Sequence, residues 1–82
     1  MECEVITPYF SKSIKVKEIS VENGEGKLII YPLHTDFISS IKKNSVISIK
    51  TLDKEEKYKC NQGVIKIQSN KALIIIDTND NM

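Results

Sequence analysis

The sequence predicts an all-β fold: two antiparallel sheets packed face to face as a sandwich. Three observations predict it. Fourteen of the 82 residues are isoleucine, and β-branched side chains pack well on a pleated surface. Short apolar runs recur with turn-forming residues between them, roughly every eight to twelve positions. No segment repeats its apolar residues at a helical period. The length suits one domain, with a core from about Glu4 to Asp77 and a polar tail, 78–82, expected to fray.

The elements follow in order. Glu4 to Thr7 is a short strand stopped by Pro8, and Tyr9 to Lys12 reads as a turn. Ser13 to Val21 reads as one long strand whose phase slips: Ile14 and Val16 point one way, then Ile19 and Val21 take over. A β-bulge near Glu18 keeps all four inside. Glu22 to Gly26 is a loop by composition. Lys27 to Tyr31 is a strand ended by Pro32, which cannot donate to a ladder. Phe37 to Ile41 is a strand or a helical turn, and Lys42-Lys43-Asn44-Ser45 turns the chain into a strand from Val46 to Leu52. Asp53-Lys54-Glu55 is a charged hairpin turn. Glu56 to Cys60 places Tyr58 and Cys60 on one face. Asn61-Gln62-Gly63 turns the chain, where Gly63 can take positive φ. Val64 to Gln68 points Ile65 and Ile67 inward, and Asn70 suits a left-handed turn. Ala72 to Ile76, the most continuously apolar run, belongs in the middle of a sheet.

Composition argues against several functions. The net charge is +1 and all twelve basic residues are lysine. Without arginine or tryptophan, bidentate phosphate contacts and strong base stacking have little to work with. Two cysteines, Cys3 and Cys60, without a signal-like start fit a reducing compartment better than a disulfide scaffold. No apolar run approaches the roughly 20 residues of a membrane helix.

Few residues suggest chemistry. His34, two positions before Asp36, is a conceivable general base, but no nucleophile is in view and a backbone-bonded turn histidine is the simpler reading. Cys3, Cys60 and His34 lack the close spacing of a zinc site, and Cys60 reads as a small buried hydrophobe. Lys42, Lys43, Lys50 and Lys54 form a basic patch or, more simply, solvated turns. Tyr31 and Phe37 flank the proline–histidine corner as core caps or interface anchors.

Four motifs in order resemble the N-terminal β-sandwich of the epsilon subunit of F-type ATP synthases. Ile6-Thr7-Pro8 is similar to the family's opening V/I-T-P. Gly26-Lys27-Leu28-Ile29-Ile30-Tyr31-Pro32-Leu33-His34 resembles its G-E-x-G-I-L-P-x-H signature. Lys42-Lys43-Asn44-Ser45 before an apolar strand resembles its L-K-P-G turn. Gly63 to Lys71, continuing through Ile74 and Asp77, resembles G-F-L-E-V-x-x-N-K-V-x-I-x-x-D without gaps. Lys27 stands where the family usually has glutamate, Ile29 replaces its glycine, and Asp36 replaces a common proline; Asn44 or Ser45 stands at the turn glycine, whose left-handed conformation asparagine tolerates better than most residues.

The resemblance implies a non-catalytic central-stalk rotor subunit of a bacterial F-type ATP synthase. Its partners would be the gamma subunit on one side and the c ring at the end bearing Tyr31 to Asp36. Lys27, Tyr31, Pro32, His34 and Asp36 are then the expected ring contacts. The location implied is the cytoplasmic face of the plasma membrane, peripheral through the complex. The family's two-helix C-terminal domain has no counterpart in these 82 residues. No cofactor, no bound ATP and no inhibition of the motor by that domain are therefore expected. The alternative is an unrelated binding module, a small sandwich or barrel gripping nucleic acid or protein. That would need exposed aromatics beside a basic groove.

Overall fold

A computed structural model describes residues 1–78. Nine strands form two sheets. They are β1 (Glu2–Ile6), β2 (Ser11–Lys15), β3 (Glu18–Asn23), β4 (Gly26–Ile30), β5 (Phe37–Ile41), β6 (Ser45–Lys50), β7 (Glu55–Cys60), β8 (Gln62–Gln68) and β9 (Lys71–Asp77). One sheet runs β2-β1-β9-β8-β5 and the other β4-β3-β6-β7. The family of short alternating strands is as the composition predicts. Phe37 to Ile41 is a strand, paired with β8, and not a helical turn. The apolar run in β9 is the central strand of the larger sheet.

Alternation places one face of every strand in the core. Val5, Ile19, Ile30, Ile47, Ile49, Ile65, Ile67 and Ile74 are almost wholly buried between the sheets. Tyr58 and Cys60 share the inner face of β7, and both cysteines are buried free thiols. Asn44 and Asn70 take the left-handed turn conformation expected of them, with φ of 62° and 60°.

Several expectations are corrected. The phase slip between Ser13 and Val21 is a change of sheet, not a bulge. β2 belongs to the five-stranded sheet and β3 to the four-stranded one. Crossing to the facing layer reverses which side of the chain is inward, so the apolar parity must shift at the corner. Val16, buried, and Lys17 form that corner; their amides donate to the carbonyls of Met1 (2.9 Å) and Lys50 (2.8 Å). The first turn is tighter than Tyr9 to Lys12. The Thr7 hydroxyl accepts from the amides of Tyr9 and Phe10, and β2 starts at Ser11. The sheets are not wholly antiparallel: β1 and β9 pair in parallel.

Gly63 lies inside β8 and needs no positive φ. Close packing explains it. A Cβ there would meet Ile76 Cγ2 at 2.7 Å and the Ile75 carbonyl at 2.8 Å. Asp77 ends β9 and Thr78 is buried, so order extends to Thr78; the expected fraying of 79–82 lies outside the described residues. The strand expected to reach Leu52 stops at Lys50. The lysines do not form one patch. Lys50 and Lys54 pair with Glu18 and Glu56 at 3.4 and 3.3 Å, while Lys42 reaches Glu22 at 4.0 Å across the opposite end of the sandwich.

The sandwich is clasped along one side. Edge strands β2 and β7 face each other there, and Lys12 bonds Glu56 between them. The Tyr58 hydroxyl donates to the same carboxylate. The Lys12 ammonium also lies 5.8 and 5.6 Å from the Phe10 and Tyr58 ring centres. These bonds from Lys12 and then Tyr58 hold the Glu56 pKa down to about 2.

Candidate functional site

The candidate site is the corner between β4 and β5, where the chain passes from the smaller sheet to the larger. Ile30 anchors it in the core. Pro32 fixes φ and cannot continue the ladder. The chain then folds back, with the His34 amide donating to the Tyr31 carbonyl at 3.2 Å. Leu33, between them, adopts φ 67°. That region is unusual for a residue with a branched side chain.

Two bonds pin the corner to the turn between β8 and β9. The Leu33 amide donates to Asn70 Oδ1 at 2.7 Å. The Ser69 amide donates to Asp36 Oδ1 at 3.0 Å. Asp36 is thus a strut for the neighbouring turn. His34 Nδ1 donates to the Thr35 carbonyl at 2.8 Å. Its ring meets Phe37 edge-on, 5.2 Å between centres, and Phe37 packs on the core. The imagined His34–Asp36 pair does not form, because each group is spent on a backbone partner. What the corner offers is a rigid display: Tyr31 is 55% exposed and Leu33 82%.

The structure brings Tyr31, Pro32, His34 and Asp36 together and leaves Lys27 elsewhere. Lys27 lies on β4 opposite Glu22, on the outer face of the smaller sheet. It stands four positions before Tyr31, about 13 Å along the strand. Its surroundings there are Glu18, Glu22, Lys50, Glu55 and Lys57, a face of mixed charge. Sequence reasoning missed Leu33, Ser69 and Asn70 as parts of the corner. The pairing of turns 37 positions apart has no local signal.

The geometry defines a class: a β-sandwich domain with one end built to present fixed side chains. The description "ATP synthase, Delta/Epsilon chain, beta-sandwich domain" matches residues 1–80, and the chain belongs to that family. The ATP synthase epsilon chain of Clostridium botulinum strain Hall is 30% identical over 83 aligned residues, covering 98% of this chain and 61% of that protein. The epsilon chain of strain Kyoto matches equally well. The chain thus spans about 61% of the length of these curated relatives. Among solved structures, a chain of the Tetrahymena thermophila mitochondrial ATP synthase central stalk and c ring aligns with TM-score 0.81 and 15% identity, over 94% of this chain and 63% of that one. A chain of the Euglena gracilis mitochondrial enzyme aligns with TM-score 0.77 and 14% identity, over 95% and 49%. At these identities the likeness is one of fold.

Proposed function

We propose that this chain is a non-catalytic rotor subunit of a bacterial F-type ATP synthase, joining the gamma subunit to the c ring. The corner from Tyr31 to Asp36 faces the ring, peripheral to the cytoplasmic side of the plasma membrane. The observation that carries this reading is the pinned corner within a family sandwich. His34 and Asp36 are tied to backbone, and the large apolar side chains it exposes are Tyr31 and Leu33, an aromatic and a leucine suited to anchoring an interface. The Clostridium relatives support a bacterial synthase, and the Tetrahymena structure supports a place by the stalk and ring.

The role is mechanical. A ring turning against a shaft needs a stiff wedge between them, held by shape fit over an interface of about 1,200–2,000 Å². Two packed sheets with a shared isoleucine core provide that stiffness. Among the described residues no helix is long and apolar enough to cross a membrane, so attachment is through partners in this reading. The test is affinity purification of the tagged chain from detergent-solubilised native membranes. Gamma and the c ring are expected with it in fixed proportion. Recovery of the bait alone, under conditions that keep the synthase whole, refutes the reading. Deleting the protein is expected to abolish ATP-driven ion pumping.

A further inference from the structure

The corner and the β8–β9 turn hold each other by exchange. Ser69 and Asn70 form the two-residue hairpin turn between Gln68 and Lys71, both with positive φ, 52° and 60°. Turns of this hand favour asparagine, aspartate or glycine. Asn70 meets that preference and Ser69 does not. The corner has the same weakness at Leu33, with φ 67°. Leucine tolerates that region poorly, because its Cβ crowds the following carbonyl oxygen.

The two bonds between the turns fall on these two residues. The Leu33 amide donates to Asn70 Oδ1 at 2.7 Å, and the Ser69 amide donates to Asp36 Oδ1 at 3.0 Å. Each turn thus lends a side-chain acceptor to the least suited backbone of the other. Both bonds are exposed to water, so each would contribute little if made alone. Made together they reinforce each other, because closing one holds the partners of the second within reach. The strands leading into this end are already register partners, with Phe37 opposite Ile67.

We propose that Asp36 and Asn70 form a reciprocal latch, which makes the corner and the β8–β9 turn one cooperative unit. Asp36 is then a positioning residue. It fixes the display of Leu33 through a turn that neither residue belongs to. Opening either bond leaves one left-handed residue unsupported and frees the other turn to relax. The corner therefore has a latched state and a loose one, and a partner that grips the latched corner stiffens the β8–β9 turn as well. The consequence for binding rests on the rotor reading above; the latch itself does not.

The first experiment needs no partner. Amide hydrogen exchange is followed by NMR at Leu33 and Ser69 in the wild type, Asp36→Ala, Asn70→Gly and the double variant. Glycine at position 70 keeps positive φ and removes only the acceptor. Each single substitution is expected to speed exchange at both amides about fivefold or more. The double variant should exchange little faster than either single. Asp36→Asn keeps an acceptor oxygen and should exchange like the wild type. Should Asp36→Ala not fold, Asn70→Gly read at the Ser69 amide decides alone. If Asp36→Ala speeds only Ser69 and Asn70→Gly only Leu33, the turns are independent and the latch is overturned. The second experiment repeats the membrane affinity purification with the variants. Asp36→Ala should lower recovery of the partners, and Asp36→Asn should restore it. If Asp36→Asn lowers recovery as much while exchanging like the wild type, the carboxylate itself touches a partner and the positioning role is wrong. If the wild type recovers no partner, the rotor reading falls and the exchange data alone judge the latch.

Discussion

Leu33 holds a backbone conformation that its own Cβ disfavours. At φ 67° a residue of this kind carries about 1–2 kcal/mol of strain. Hydrogen bonds from and to the neighbouring turn hold it there. Leu33→Gly relieves the strain but adds chain entropy to the unfolded state. Stability should therefore stay within about 1 kcal/mol of the wild type, while the ring binding proposed for this corner should fall because the exposed side chain is gone. Melting and binding measured together check this; a large loss of stability would show that the leucine holds the fold. Asn70 has two separable roles, tolerance of φ 60° and the Oδ1 bond to Leu33. Asn70→Ala loses both and should cost about 1–3 kcal/mol. Asn70→Gly loses only the bond. Both should speed hydrogen exchange at the Leu33 amide. Equal protection in the two variants and the wild type would mean the corner is not pinned.

Between elements, fit and charge decide. Gly63 lets β8 lie against β9 and the end of β7, so Gly63→Ala must push Ile76 and the Ile75 carbonyl aside. The expected loss is about 1–3 kcal/mol by overpacking, read from urea unfolding. The clasp between β2 and β7 has a pH signature. Glu56 has its pKa lowered from 4.5 to about 2 in the fold. A depressed carboxyl stabilises the fold fully above its unfolded pKa, and that contribution disappears as pH falls through the folded one. The wild type should thus lose stability between about pH 4.5 and pH 2 with a component that Glu56→Gln lacks. Parallel acid melting curves for the two proteins would rule the clasp out as a source of stability.

At the scale of the molecule, the two layers protect both thiols. Burial, reinforced by the charge of Glu56, pushes the Cys3 pKa up to about 12, and burial raises that of Cys60. Alkylation needs an exposed thiolate. Labelling of either cysteine at pH 8 should therefore wait on opening of the sandwich, and its denaturant dependence should match that of global unfolding. Labelling at the speed of a free thiol would show that the layers part locally.

What the sequence determined by itself is local. Isoleucine alternation set the strands and their inner faces, proline ended β4, and Asn44 and Asn70 marked left-handed turns, because side-chain period and backbone preference are properties of neighbours along the chain. The ordered motifs carried the family. The tertiary structure alone decided which sheet each strand joins. The slip after Val16 looked like a bulge because a bulge and a crossing both shift parity by one residue. It also decided that β1 and β9 run parallel, that Gly63 serves packing rather than turning, and that Lys27 stands apart from the corner. The corner itself was half legible: Pro32 and His34 marked it, but the residues that fasten it lie more than thirty positions away. Such contacts depend on how two layers face each other, and no local pattern encodes that.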